Sequence, residues 1–343
     1  MTAPANASDD NGDGGPGTGA VTPSPHGAPL ADLALSRTTI ERAGHERAGA
    51  VDRLLTDPST RVLEVRGDRL AVDAGGDGDL ALRLRGPVES DRNAIGLHLG
   101  RGPDGTAYLG VIVTEPAPED DRGEHPDSGD LGGWLTLRQA GEALSARDAG
   151  LFTTALALAN WHATHTHCPR CGAATEPVQA GWVRRCVSDG SEHYPRTNPA
   201  VIMSVIDPDD RLLLGRGAHW PEGRFSVLAG FVEPGESFEA AVAREVLEEV
   251  GVVIDGATYL GNQPWPFPAS LMVGFVATTS QTQLTPDPAE IAEARWVTRT
   301  EYRDLLASGA IKTPSGISIA KRIIEHWLGQ TVESVAGAEV VDR

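Results

Sequence analysis

The chain has 343 residues, 48 of them acidic against 29 Lys or Arg, for a formal net charge of −19. At roughly 100–200 residues per domain, that length implies two or three domains, and the acidic balance argues against a protein whose main affinity comes from wrapping nucleic acid or coating anionic lipid. No stretch approaches the roughly 18–20 apolar residues of a membrane span, the first twenty residues lack the basic and apolar regions of a signal peptide, and the three cysteines all lie between Cys168 and Cys186, which points to a reducing cytoplasm.

Residues 1–28 are mostly Gly, Ala, Pro, Asp, Ser and Thr without Lys or Arg, and predict a disordered tail. Residues 29–163 predict a β-rich domain with strands over Arg61–Arg66, Leu80–Arg85, Ala94–Leu99 and Ala107–Val113. A Pro/Asp/Glu/Gly-rich loop from Glu115 to Asp130 interrupts it, and a helix follows from about Ser145 to His162, capped by Ser145 or Asp148. Gly100-Arg-Gly102-Pro-Asp-Gly105 has the letters of a dinucleotide fingerprint, but a strand follows where that motif needs a helix, so it predicts a hairpin. Residues 164–198 gather the cysteines and several histidines. From residue 199 strands alternate with helices: strands at Ala200–Ile206, Arg211–Gly215 and Leu271–Ala277, helices at Phe238–Val250 and Ser318–Leu328. Residues 331–343 read as a frayed tail, and no short-period repeat is evident.

The helix predicted over Phe238–Val250 carries Glu245 and Glu249 at i, i+4, so they share one face, with Glu248 one turn from Glu245. Three like charges on one stripe repel each other, and a helix gains no stability by gathering them. An oxygen-seeking divalent cation would reverse that cost; a solvated acidic face is the alternative. The Gly-rich stretch Gly230–Gly235 just before the helix permits close approach of backbone to a ligand. Further on, Gln263-Pro264-Trp265-Pro266-Phe267-Pro268-Ala269-Ser270 alternates prolines with aromatics. Each Pro removes a ladder donor, so the segment predicts a stiff extended loop, serving either as packing or as a base-stacking wall.

The stretch from Gly230 to Val252 matches the Nudix box: Gly, five residues, Glu236, seven residues, then Arg244-Glu245, with Glu248-Glu249 and Gly251 following. The chain resembles the Nudix hydrolases, which split a nucleoside diphosphate linked to another moiety. The resemblance implies Glu245 and Glu249 as ligands of Mg²⁺ or Mn²⁺, with Glu248 in support. It makes Arg244 the partner that orients the carboxylates, and adds the Ala229 carbonyl and Glu290 to the metal site. Glu249 is the candidate to help deprotonate the attacking water. The QPWPFPxS segment resembles the hallmark of the NAD(H) diphosphatase branch, departing only at Asn262, where that branch commonly has Ser. That implies substrate contacts from Gln263 through Ser270, stacking by Phe231, and further contacts from Tyr194 and Ala320. Gly181 stands where relatives carry an acidic contact.

Cys168-Pro-Arg-Cys171, fourteen residues, then Cys186 is the spacing of a zinc ribbon. The branch has four ribbon cysteines, and Asp189 stands at the fourth. Either Asp189 ligates through oxygen, or His193 or His167 substitutes, or the metal has been lost. His162, His165 and His167 otherwise read as residues at the surface of a helix end.

The expected fold is thus an α/β/α Nudix sandwich with a mixed sheet, preceded by a zinc ribbon and a β-rich N-terminal domain. The expected function is hydrolysis of NAD or NADH to nicotinamide mononucleotide and AMP by a cytoplasmic homodimer. Removal of NAD caps from RNA is a second expectation, with the RNA recognised mainly through its NAD end; Arg170, Arg184 and Arg185 could form a small basic patch on the ribbon. The alternatives are hydrolysis of another dinucleotide such as ADP-ribose, and a non-catalytic zinc-ribbon adaptor.

Overall fold

The computed structural model describes residues 29–75, 79–117, 133–335 and 340–341. The predicted N-terminal tail and nearly all of the Glu115–Asp130 loop lie outside them. The first domain runs α1 (Ala50–Thr56), β1 (Arg61–Arg66), β2 (Arg69–Ala74), β3 (Leu80–Leu82), β4 (Ile95–Arg101), β5 (Ala107–Val113), β6 (Gly133–Thr136), α2 (Leu137–Ala140) and α3 (Ala146–Thr164). A three-stranded ribbon follows: β7 (Thr175–Val178), β8 (Val183–Cys186) and β9 (Glu192–His193). The last domain runs β10 (Asn198–Ile206), β11 (Leu212–Gly217), β12 (Leu228–Phe231), α4 (Phe238–Val250), β13 (Gly256–Trp265), β14 (Ser270–Thr278), β15 (Ile291–Val297), α5 (Arg299–Ala307), β16 (Thr313–Pro314), α6 (Ile319–Leu328) and β17 (Val340–Val341).

The two large sheets share one layout. In the last domain the order is β13-β14-β10-β11-β15, with β12 beside β10, and only β10 and β14 run parallel. In the first domain β4, β5, β1, β2 and β6 pair in the same order, again with one parallel pair, β1 and β5. The correspondence extends to detail. Arg85 bridges Val62 of β1 as β12 pairs with β10, and each sheet is followed by a helix closed by a capping box, Thr136 with Gln139 and Thr298 with Glu301. What differs is the box helix: a 3-10 turn, Glu89–Asn93, stands where the last domain has α4. There Arg85 binds Glu64 and Asp91 at 2.8 and 2.6 Å, so the carboxylates are neutralised internally. The chain therefore holds a domain-scale repeat that, among the described residues, only one copy equips with a carboxylate helix.

In the last domain the sheet lies between α4, packed through Ala241, Val242 and Val246, and α6, packed through Ile319, Ile323 and Ile324. Ser237 caps α4 by accepting the Ala240 amide, and Gly251 ends it at φ 72°, a left-handed conformation that glycine adopts without strain. In the first domain α3 covers one face, with Ser145 as its cap, and α1 the other. The Gly100–Gly105 segment forms the predicted hairpin between β4 and β5.

Three expectations are corrected. The QPWPFP segment is not a free loop: Gln263, Pro264 and Trp265 complete β13, which as an edge strand tolerates the missing proline donor. The Leu80–Arg85 strand ends at Leu82, leaving Arg85 as an isolated bridge. The stretch after Gln330 is not frayed as far as Val335, because Val332 is fully buried and Glu333 pairs with Lys321 of α6. The first described residues also tie the domains together: the Leu30 amide donates to the Leu260 carbonyl at 2.7 Å, and Leu33 packs in the core beneath α6.

Candidate active site

Helix α4 presents its carboxylates to β12. Glu245 and Glu249 are each 8% exposed, whereas the Glu248 side chain is 60% exposed. Arg244 holds the group together. It donates to both Glu236 oxygens at 2.9 and 3.0 Å, to Glu245 at 2.9 Å, to Glu248 at 3.0 Å and to the Phe231 carbonyl at 2.9 Å. These bonds hold the Glu236 carboxyl below, and the Arg244 guanidinium above, their usual ranges.

Glu249 has no such partner. Its Oε2 is buried with no hydrogen bond, and burial, then the charges of Glu245 and Glu290, push its pKa up to about 8. Burial likewise raises Glu245, opposed by Arg244. A buried carboxylate oxygen left orphaned among like charges is costly unless a cation joins it. Gly230 is what lets the strand approach: a Cβ there would stand 1.9 Å from the Glu245 Cδ. Ala229 precedes it on β12, and exposed Glu290 ends the turn before β15. The Glu249 carbonyl accepts the Asp287 amide at 2.9 Å, which fixes that turn against the end of α4. The donor set, all oxygen and rich in carboxylates, fits Mg²⁺ or Mn²⁺.

The predicted substrate-contacting residues divide into two groups. Phe231 and Tyr194 are exposed, at 60% and 63%. Phe231 pairs in register with Ala200 on β10, and Tyr194 stands four residues before that strand begins. Others are turned inward. Gln263 is fully buried: its Oε1 accepts the Leu35 amide at 3.1 Å and its Nε2 donates to the Ile317 carbonyl at 2.8 Å. Trp265 is 8% exposed and packs in the core of the first domain with Leu137 and Phe152, and Ala320 is fully buried in the first turn of α6. Pro266 is buried, Pro264, Phe267, Ala269 and Ser270 are half-buried, and Pro268 is exposed at the turn. Of the two roles left open for this segment, its Trp takes packing. An aromatic wall of Trp265 and Phe267 standing free around a pocket is therefore not present.

In the ribbon, ligand atoms of Cys168, Cys171, Cys186 and Asp189 lie within 4.8 Å of one another, with the Cys171 and Cys186 sulfurs 3.5 Å apart. Two thiolates on one tetrahedral zinc stand about 3.8 Å apart at Zn–S of about 2.3 Å. Of the three candidates for the fourth position, Asp189 is the one brought into this group. His193 stands beside this group, meeting Ser191 at 3.2 Å and the Cys168 thiol, whereas the His167 ring meets Thr166, at 3.0 Å.

His162 is not a surface residue. It is 3% exposed, with Nε2 donating to the Gly181 carbonyl and Nδ1 accepting from buried Arg184, both at 2.9 Å. Burial, with Arg184 adding to it, pushes its pKa down to about 4. Arg184 is thereby withdrawn from the expected basic patch, and Arg185 pairs with Glu192 at 2.9 Å. At Gly181 a Cβ would stand 2.5 Å from Leu97, so this position is held by packing against β4. Sequence reasoning missed this network because a histidine near a helix end carries no signal of burial.

Three family models match the chain without overlap. Residues 196–314 match the NUDIX domain, residues 163–194 the NADH pyrophosphatase zinc ribbon domain, and residues 59–161 the NADH pyrophosphatase-like rudimentary NUDIX domain. With the box carboxylates gathered on α4 against β12, these define the class: residues 196–314 are a Nudix domain. The ribbon and the first domain match models described for NADH pyrophosphatases within that family. Among relatives, NAD-capped RNA hydrolase NudC of Mycobacterium bovis (strain BCG / Pasteur 1173P2) is 47% identical over 202 residues, covering 56% of this chain and 64% of the relative. The protein of the same name from Mycobacterium tuberculosis (strain H37Rv) is 46% identical over the same length and coverage. NAD-capped RNA hydrolase NUDT12 of Homo sapiens is 41% identical over 197 residues, covering 54% of this chain and 43% of the relative. The match thus spans less than two thirds of each relative. No helix among the described residues is long and apolar enough to cross a membrane.

Proposed function

We propose that this chain hydrolyses the pyrophosphate bond of NAD or NADH, giving nicotinamide mononucleotide and AMP. The observation that carries the reading is the buried Glu245–Glu249 pair: Glu249 keeps an unpaired oxygen, Glu245 lies against the Gly230 backbone, and the next residue on that strand is the exposed aromatic Phe231. Glu245, Glu249, Glu290 and the Ala229 carbonyl would hold Mg²⁺ or Mn²⁺. Bound there, such cations neutralise the diphosphate and acidify a water. Arg244 keeps the carboxylates in place through its bonds to Glu236, Glu245 and Glu248. Glu249 receives the proton of the attacking water at Oε2, and Phe231 and Tyr194 offer rings to the substrate's own. NAD rather than another dinucleotide is favoured by the ribbon and first-domain matches and by the names of the relatives. A non-catalytic adaptor has no use for a buried, mutually repelling carboxylate pair. Hydrolysis rates on NAD, NADH, ADP-ribose and diadenosine polyphosphates, measured side by side with product identification, test this. NAD or NADH is expected to lead, with nicotinamide mononucleotide and AMP as products; release of free nicotinamide, or a lead for ADP-ribose, would overturn it.

NAD-capped RNA belongs to the same reading, recognised mainly through its NAD end, since burial of Arg184 and pairing of Arg185 leave little of the ribbon's basic patch. The assembly expected from the branch is a homodimer; exposed Phe231 and Tyr194 are the apolar groups a second copy would cover. The cytoplasm is the compartment that suits reduced thiols. Zinc on Cys168, Cys171, Cys186 and Asp189 is structural in this reading and separate from catalysis. Elemental analysis is expected to find about one zinc per chain, lost in Asp189→Ala. No zinc, with three freely titratable thiols in the native protein, would remove the claim and leave the hydrolase reading standing.

A further inference from the structure

The turn of the β13–β14 hairpin holds two prolines, Pro266 and Pro268, which have no amide hydrogen to donate. Its one local bond is from the Phe267 amide to the Trp265 carbonyl, at 2.7 Å. The carbonyls of Pro266 and Pro268 are satisfied from another domain. The Asn160 Nδ2 on α3 donates to them at 2.9 and 3.3 Å. Beside it, the Arg138 guanidinium of α2 lies 3.7 Å from the centre of the Phe267 ring, a cation–π contact. The rudimentary domain, which has no carboxylate helix of its own, thus grips the hairpin at its tip.

The tip leads directly to the exposed rings. The Ala269 carbonyl accepts the Asn198 amide at 2.8 Å, and Asn198 opens β10 opposite Ser270. One residue on, the Pro199 carbonyl accepts the Val232 amide at 3.1 Å, next to Phe231. Tyr194 lies just upstream on the same chain. The hairpin tip, the start of β10 and the end of β12 are therefore one hydrogen-bonded row, and Asn160 is the side chain that anchors its free end.

We infer that Asn160 is a positioning residue for substrate binding: it sets where Phe231, Tyr194 and Ser270 stand relative to the box carboxylates. This rests on the reading of those residues as the substrate wall. Asn160 touches neither the carboxylates nor their partners, so its loss acts on binding and spares the chemical step. The sequence holds no signal for this, because a lone Asn near a helix end is unremarkable until the hairpin is seen against it.

The test is steady-state kinetics of Asn160→Asp and Asn160→Ala in the full chain, using whichever dinucleotide the wild type turns over best. Asp has the shape of Asn but turns two donated bonds into repulsions; Ala removes them. The expected result is KM raised at least fivefold in Ala and further in Asp, with kcat within threefold of wild type. A role in folding alone would lower the active fraction and so the apparent kcat at constant KM. KM within twofold of wild type in the Ala variant would overturn the inference, as would a loss confined to kcat. Should neither NAD nor NADH lead, the function proposed above falls, while the KM comparison on the substrate that leads still decides the role of Asn160.

Discussion

Glu249→Gln is expected to lower turnover at saturating Mg²⁺ by at least about a hundredfold while leaving the fold intact. The substitution keeps the size of the side chain but removes its charge and its capacity to take a proton. Both matter at this position. In the function proposed, the carboxylate would supply an oxygen to bound cations, and its Oε2 is the group that the protein leaves without a hydrogen bond. Losing one such charge from a site that stabilises a developing anion costs several kcal/mol of transition-state stabilisation. Glu248→Gln, at an exposed position held only through Arg244, is expected to cost much less. Retention of more than about a tenth of wild-type turnover in Glu249→Gln, a loss of under about 1.4 kcal/mol, would contradict the role given to it.

The carboxylate site was legible in the sequence because its parts are local. Glu245, Glu248 and Glu249 sit on one helix at fixed spacing, and Gly230 and Glu236 lie shortly before it in the chain. The cysteine knuckle was legible for the same reason, but that the Asp189 carboxylate lies with the three sulfurs, with His193 beside Cys168, was not. What was not legible depends on contacts between distant segments. Trp265 reads equally well as a wall or as packing until the first domain is placed against it. Gln263 reads as a polar substrate contact until Leu35 and Ile317, far away in sequence, claim both ends of its amide. His162 reads as solvated until Arg184 and Gly181 enclose it. The internal repeat was hidden for another reason: strand pairing order is not written in residue identity, and a short 3-10 turn stands in one copy where the other has the box helix.

The second large effect concerns stability without metal. Glu249 has an ordinary carboxyl pKa of 4.5 when unfolded and about 8 in the folded protein, raised by burial and by Glu245 and Glu290. The folded state therefore binds more protons than the unfolded one between those values. Stability contributed by the protonated group is fully present below pH 4.5 and is lost as pH rises through 8. Each tenfold difference in proton affinity between the two states is worth about 1.4 kcal/mol, so the loss in the metal-free protein amounts to a few kcal/mol by pH 8. Glu249→Gln, permanently neutral, escapes it. His162 works in the other direction, since its folded pKa of about 4 costs stability as pH falls below 6.5. That contribution is common to wild type and variant and cancels in their difference.

The central claim, that α4 and β12 build a cation site at a cost in stability, is tested most directly by thermal melting of wild type and Glu249→Gln at pH 5 and pH 8, with chelator and with Mg²⁺. With chelator at pH 8 the variant is predicted to melt several degrees above wild type, the gap shrinking at pH 5, and Mg²⁺ is predicted to raise the wild type strongly and the variant little. A variant less stable than wild type in chelator at pH 8, or an equal response of both proteins to Mg²⁺, would contradict the account.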